Sequence, residues 1–170
     1  MLDRTIILDG FSKSYAMTGW RIGYGILPEP LVPHITKLAV NSVSCAASFT
    51  QRAAIAALEG PQDMVMDMVE EFRLRRELIV GGLNQIPGIV CPEPGGAFYA
   101  FPSIAALGIS SQEFQDRLLN EAGVALLSGR SFGKFGEGFA RLSYANSREN
   151  ILKALDRLED FVSTQGRKRP

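Results

Sequence analysis

The chain has 170 residues, 46% apolar and 21% charged, with 17 glycines and 9 prolines, an ordinary globular composition long enough for one large domain or two small ones. This excludes disorder, collagen-like repeats and a membrane span. Eighteen Lys plus Arg balance eighteen Asp plus Glu, so no net positive field draws the chain to nucleic acid or to an anionic membrane.

Thr5-Ile6-Ile7-Leu8-Asp9 reads as a buried strand starting almost at residue one, as though inherited from something longer. Phe11 to Thr18 reads as loop, and Trp20 to Leu27 as a second strand whose glycines allow close backbone approach. Pro28, Pro30 and Pro33 punctuate the start of a helix running to about Ala39. Ser48 with Gln51 forms a capping box for a helix through Leu58, which Gly60-Pro61 closes. From Gln62 to Ile86 lies the longest amphipathic pattern, carrying Val65, Met68, Val69, Phe72, Ile79, Leu83 and Ile86, with Glu71 and Arg75 as an i,i+4 pair. Strands follow at Ile89 to Cys91 and Ala97 to Phe101, separated by a Pro- and Gly-rich turn.

Ser110 and Glu113 form another capping box, opening a helix to about Ala122. Val124 to Leu127 is a strand, a glycine-rich loop reaches Gly138, and Phe139 to Ala145 alternates as a strand. Asn146 with Glu149 caps a final helix whose Ile151, Leu152, Leu155, Leu158, Phe161 and Val162 share one face. Strands followed by helices predict an α/β fold with a break near the long helix. Residues 166–170 are a short basic tail.

Cys45 and Cys91 form no CxxC pair and His34 is the only histidine, so no metal site is expected. Both cysteines read as free thiols of a reducing compartment, with a disulfide left open by the sequence. The first ten residues lack the basic start and long apolar core of a signal peptide, and a soluble cytoplasmic chain is expected. His34, behind Pro33 with no ligand-spaced companion, reads as a surface residue.

Chemistry concentrates in Ser12-Lys13-Ser14-Tyr15-Ala16-Met17-Thr18-Gly19-Trp20-Arg21-Ile22-Gly23-Tyr24. A lysine at a strand end loses its proton more easily if burial or a nearby cation disfavours the ammonium, and the free amine then attacks a carbonyl. Arg21, near glycines on both sides, can offer its planar fork to a phosphate. Amine and phosphate clamp together describe an aldehyde phosphate cofactor.

This stretch closely resembles the lysine signature of class I/II aminotransferases, fold type I enzymes that use pyridoxal 5'-phosphate (PLP). The resemblance implies that Lys13 carries PLP as a Schiff base, that Arg21 binds its phosphate, and that Ser12 is the cofactor-binding serine before the lysine. Many members have a further phosphate-binding serine where this chain has Gly10, leaving only the backbone there. Phe139-Ala140-Arg141-Leu142-Ser143-Tyr144-Ala145 resembles the small-domain strand whose arginine grips the substrate α-carboxylate, a role implied for Arg141. Pro94-Gly95-Gly96-Ala97-Phe98-Tyr99 is similar to the segment entering the small domain, with Gly96 beside the substrate. Asn41-Ser42-Val43-Ser44-Cys45 is similar to a loop near the neighbouring subunit's cofactor in related dimers, although a polar connector is the preferred reading. Tyr15 is either an aromatic beside the cofactor phosphate or packing.

By this resemblance, residues 1–60 are the end of the large PLP-binding domain and 61–165 are the connector helix and the small α/β domain. The aspartate on the pyridine nitrogen and the ring-stacking aromatic would come from sequence ahead of the lysine strand. The chain is therefore expected to be a fragment or a truncated product, and a poor enzyme alone. The intact enzyme would exchange an amino group between an amino acid and a 2-oxo acid, as a homodimer. Lyase or synthase chemistry on the same fold, and a non-catalytic PLP-sensing domain of a transcription regulator, are the alternatives.

Overall fold

The computed structural model describes residues 1–165 and divides the chain into two compact units, Met1–Asp67 and a second from Met68 onward. The division falls inside the longest helix, seven residues beyond the boundary expected at residue 60. The basic tail at 166–170 lies outside the described residues.

In the first unit, strands β1 (Ile7–Gly10) and β2 (Gly23–Ile26) pair antiparallel, with Asp9 opposite Tyr24 and Gly10 opposite Gly23. A β-carbon on Gly23 would meet the Asp9 carbonyl at 2.8 Å, so close pairing requires glycine there. Both strands are shorter than the sequence pattern suggests. The Trp20 N–H closes a 3₁₀ turn on Met17 at 3.2 Å and so is not in the ladder, while the Thr5 hydroxyl donates to the Met1 carbonyl at 2.8 Å. Nor is β1 buried as expected: with only β2 beside it, Ile7 and Leu8 stay exposed. Helices α1 (Val32–Ser42) and α2 (Ser48–Glu59) follow. The expected capping box at Ser48 does not form. Ala47 is the N-cap residue, Ser48 is already helical, and the Gln51 side chain donates instead to the Ala46 carbonyl at 2.8 Å. Phe11, Met17 and Ala54 form the small core.

Helix α3 (Asp63–Gln85) runs into the second unit, where β3 (Tyr99–Ala100), β4 (Leu127–Ser128) and β5 (Ala140–Ser143) form an antiparallel sheet in the order β3-β5-β4. Ile89 to Cys91 contributes only a bridge from Val90 to Ser103, because Pro92 and Pro94 withhold the donors that would extend it. Strand β4 starts later than Val124, whose N–H is used closing the preceding helical turn on Leu118 at 3.2 Å. Helix α4 (Ser111–Arg117) is capped by Ser110, whose hydroxyl accepts the Glu113 N–H at 3.1 Å, and continues as a π turn over Leu118–Ala122.

Helix α5 (Arg148–Gln165) is capped by Ser147 rather than by the expected Asn146. The Ser147 hydroxyl accepts the Asn150 N–H, while the Asn146 side-chain amide oxygen Oδ1 accepts the Ser147 N–H at 2.9 Å. The core gathers Ile79 and Leu83 of α3, Phe114 and Leu118, Leu142 and Tyr144, and Ile151, Leu155, Leu158 and Phe161 of α5. Leu152, expected on the buried face, is exposed. Glu71 of α3 is hydrogen-bonded by Arg75 one turn on and by Arg148 in the first turn of α5. Both cysteines are free, Cys45 exposed and Cys91 buried, and burial pushes the Cys91 thiol up from its ordinary pKa.

Candidate functional site

Residues 11–22 join β1 to β2 and fold about Phe11, which is 3% exposed. Its carbonyl accepts the N–H groups of Tyr15 and Met17 at 3.3 Å, and the Lys13 carbonyl accepts the Ala16 N–H at 3.1 Å. The Phe11 ring packs against Tyr15 and Tyr24 at 5.5 and 5.6 Å. On this anchored loop Ser12 is half-buried and Lys13 exposed. Among the described residues the Lys13 amine has no hydrogen-bond or ion-pair partner.

Two non-glycine residues of the loop, Ala16 and Arg21, hold left-handed backbone at φ 53° and 52°. Such strain gathers where a neighbouring geometry over-determines it, as at ligand clamps. Arg21 Nη1 donates to the Thr18 carbonyl at 2.8 Å, and the rest of its fork has no protein acceptor among the described residues. Together with Trp20, Cys45, Ala46, Phe49 and Thr50, Arg21 lines an open depression of about 580 Å³.

Gly10 has no spare backbone donor, since its N–H donates to its neighbour's Asp9 carboxylate at 2.7 Å. That carboxylate also faces the Tyr24 hydroxyl across the ladder and holds the phenol above its ordinary pKa. Tyr15 is half-buried, and its hydroxyl donates to Gln62 at 3.2 Å, a packing arrangement. Asn41 and Ser42 belong to the last turn of α1, bonding back to the carbonyls of Lys37 and Leu38, whereas Cys45 lines the depression with Arg21. His34 is exposed in the first turn of α1.

Arg141 lies in the second unit, on β5. Its guanidinium carbon sits 4.3 Å from the centroid of the Tyr99 ring and 4.4 Å from that of Phe132. Sheet register explains the first contact: Tyr99 pairs with Ser143, so Arg141 is its diagonal neighbour on the same face. The second contact comes from the loop 129–138. Its two ends close tightly, because a β-carbon on Gly129 would lie 2.1 Å from the Gly136 carbonyl oxygen and one on Gly136 would lie 1.9 Å from that of Gly129. The Gly129 N–H also donates to the Phe139 carbonyl at 2.9 Å. Half-buried between two rings, Arg141 has no hydrogen-bond or ion-pair partner among the described residues. A planar fork with unused donors is a receptor for a carboxylate.

The structure therefore puts Ser12, Lys13 and Arg21 on one loop and Arg141 in the other unit. Sequence reasoning missed Tyr99 and Phe132 as partners of Arg141. Tyr99 stood in the Gly-Gly-Ala-Phe-Tyr segment that was singled out, whereas Phe132 carried no signal beyond an aromatic in a glycine-rich loop. Gly96 itself lies in open space, with nothing near where a side chain would project.

The model of the family aminotransferase class I and II matches residues 2–158. An aspartate aminotransferase of Pyrococcus horikoshii is 42% identical over 159 residues, covering 92% of this chain and 41% of that protein. Another, from Musicola paradisiaca, is 42% identical over 164 residues, covering 96% of this chain and 41% of that one. The crystal structure of an aromatic aminotransferase from Pyrococcus horikoshii superposes with a TM-score of 0.94 at 38% identity, covering 98% of this chain and 44% of that one. The chain thus spans about two fifths of the length of the relatives it matches.

Proposed function

The chain belongs to the aminotransferase class I and II family, and from that membership we propose that the protein carrying it moves an amino group between an amino acid and a 2-oxo acid with PLP. Members of this family are generally PLP-dependent. The observation that carries the reading is Lys13: it stands in the lysine signature with an amine no other group occupies, eight residues before an arginine whose fork is largely open. These residues fit the cofactor, since one supplies a free amine and the other, lining an open depression, has unused donors.

When bound, PLP supplies an aldehyde and an electron sink for the bond broken at the substrate's α-carbon. Lys13 would hold the cofactor through its amine, and with that amine free again it would take the substrate's α-proton as base and give it back as acid. Arg21 turns its unused N–H groups to the phosphate, with the Ser12 hydroxyl as a further donor. Arg141 receives the α-carboxylate in the plane of its fork and so fixes the α-carbon. In this reading residues 1–60 end the large PLP-binding domain and 61–165 are the connector and small domain. The protein acts as a homodimer in the cytoplasm, as is typical of aminotransferases.

The test is a coupled transaminase assay on the protein that carries this chain, run with a panel of L-amino acids and 2-oxo acid acceptors. Lys13→Ala is expected to abolish transfer and Lys37→Ala to leave it unchanged. Turnover that survives Lys13→Ala would contradict the proposal.

A further inference from the structure

We propose that Tyr99 and Phe132 are positioning residues that lock the guanidinium plane of Arg141, so that the site admits a carboxylate only edge-on. This rests on the carboxylate role given to Arg141 above. The rings stand 4.3 and 4.4 Å from the guanidinium carbon, close enough for both to act as cation–π partners. An unclamped arginine samples many rotamers and loses that freedom on binding an anion. Here the freedom is already lost in the free protein. In this proposal the two rings leave the N–H edge to the ligand, where two parallel hydrogen bonds to a carboxylate form.

Packing alone does not account for Phe132. It remains 48% exposed, and its other ring contact is edge-on to Phe101 at 5.9 Å. The back-to-back approach of Gly129 and Gly136 shapes the loop that carries it. A half-exposed phenylalanine whose ring lies under the guanidinium of an arginine without hydrogen-bond or ion-pair partner among the described residues acts through that arginine.

Side-chain nuclear magnetic resonance of the 170-residue chain labelled with ¹⁵N-arginine tests this, with acetate as the probe and Arg141→Lys identifying the Arg141 signal. The Arg141 Nε–H resonance is expected to be displaced upfield by the rings and to move saturably as acetate is added. Phe132→Leu removes part of the upfield displacement and weakens acetate about three- to tenfold. Phe132→Tyr and Tyr99→Phe, which keep both ring faces, retain displacement and affinity. Unchanged acetate affinity in Phe132→Leu would overturn the positioning role alone. A displaced Arg141 signal that acetate leaves unmoved would instead contradict the carboxylate role, and this proposal with it.

Discussion

Arg141 and Arg21 are the same side chain in different surroundings. Arg141 has aromatic rings at 4.3 and 4.4 Å, and in the proposed role Arg141→Lys replaces a two-pronged contact with a point charge. The expected loss is roughly 2–4 kcal/mol, about 30- to 1,000-fold in kcat/KM for the amino acid, with PLP affinity unchanged. Steady-state kinetics beside a PLP titration measure both, and unchanged kinetics would contradict the carboxylate role. Arg21 sits in strained left-handed backbone, as does Ala16. Ala16 is exposed, so Ala16→Gly relieves strain without losing packing and is expected to stabilise the loop by about 0.5–1 kcal/mol after the added freedom of the unfolded chain. Trp20, the only tryptophan, reports this transition by fluorescence in urea. Lys13, Arg21 and Arg141 could be singled out as candidates in the sequence because each lies inside a contiguous run of telling neighbours. The clamp on Arg141 was not, because strand pairing and a loop closure bring Tyr99 and Phe132 to it from distant positions.

Elements were legible where their signals were local. The Ser110 cap needs only the Glu113 N–H three residues on, and it forms. Ser48 and Gln51 show the same spacing, yet the helix starts one residue early and the glutamine finds the Ala46 carbonyl. Spacing alone does not decide between such competing acceptors. The link from α3 to the first turn of α5 through Glu71 was half visible, since Arg75 lies one turn away while Arg148 is distant in sequence. Hydrogen bonds from Arg148 first, then Arg75, lower the Glu71 carboxyl to about 2. A carboxyl lowered on folding stabilises the fold above its ordinary value near 4.5, and that contribution fades as pH falls through about 2. Thermal melts of Glu71→Gln should therefore lie below wild type at pH 7, with the gap narrowing from about pH 4.5 downward. A gap independent of pH would contradict the assignment.

At the scale of the whole molecule the two units differ in how much they bury. The second unit holds a continuous core running from Ile79 to Val162, whereas the first, among the described residues, buries Phe11, Met17 and Ala54 and leaves Ile7, Leu8, Ile26, Leu38 and Phe49 exposed. Amides at Leu83, Leu118 and Leu158 are thus expected to exchange with solvent orders of magnitude more slowly than those of β1 and β2, which hydrogen-exchange mass spectrometry measures. Equal protection would contradict this division. The same contrast predicts that the 170 residues alone bind PLP weakly, because Lys13 and Arg21 stand on the thinly packed unit. The central claim, that Lys13 is the lysine to which the cofactor is joined, is tested most directly by reducing the PLP-loaded protein that carries this chain with borohydride and mapping the labelled peptide. The account predicts the label on Lys13 and its loss in Lys13→Ala; a label on Lys37, Lys134 or Lys153 would contradict it.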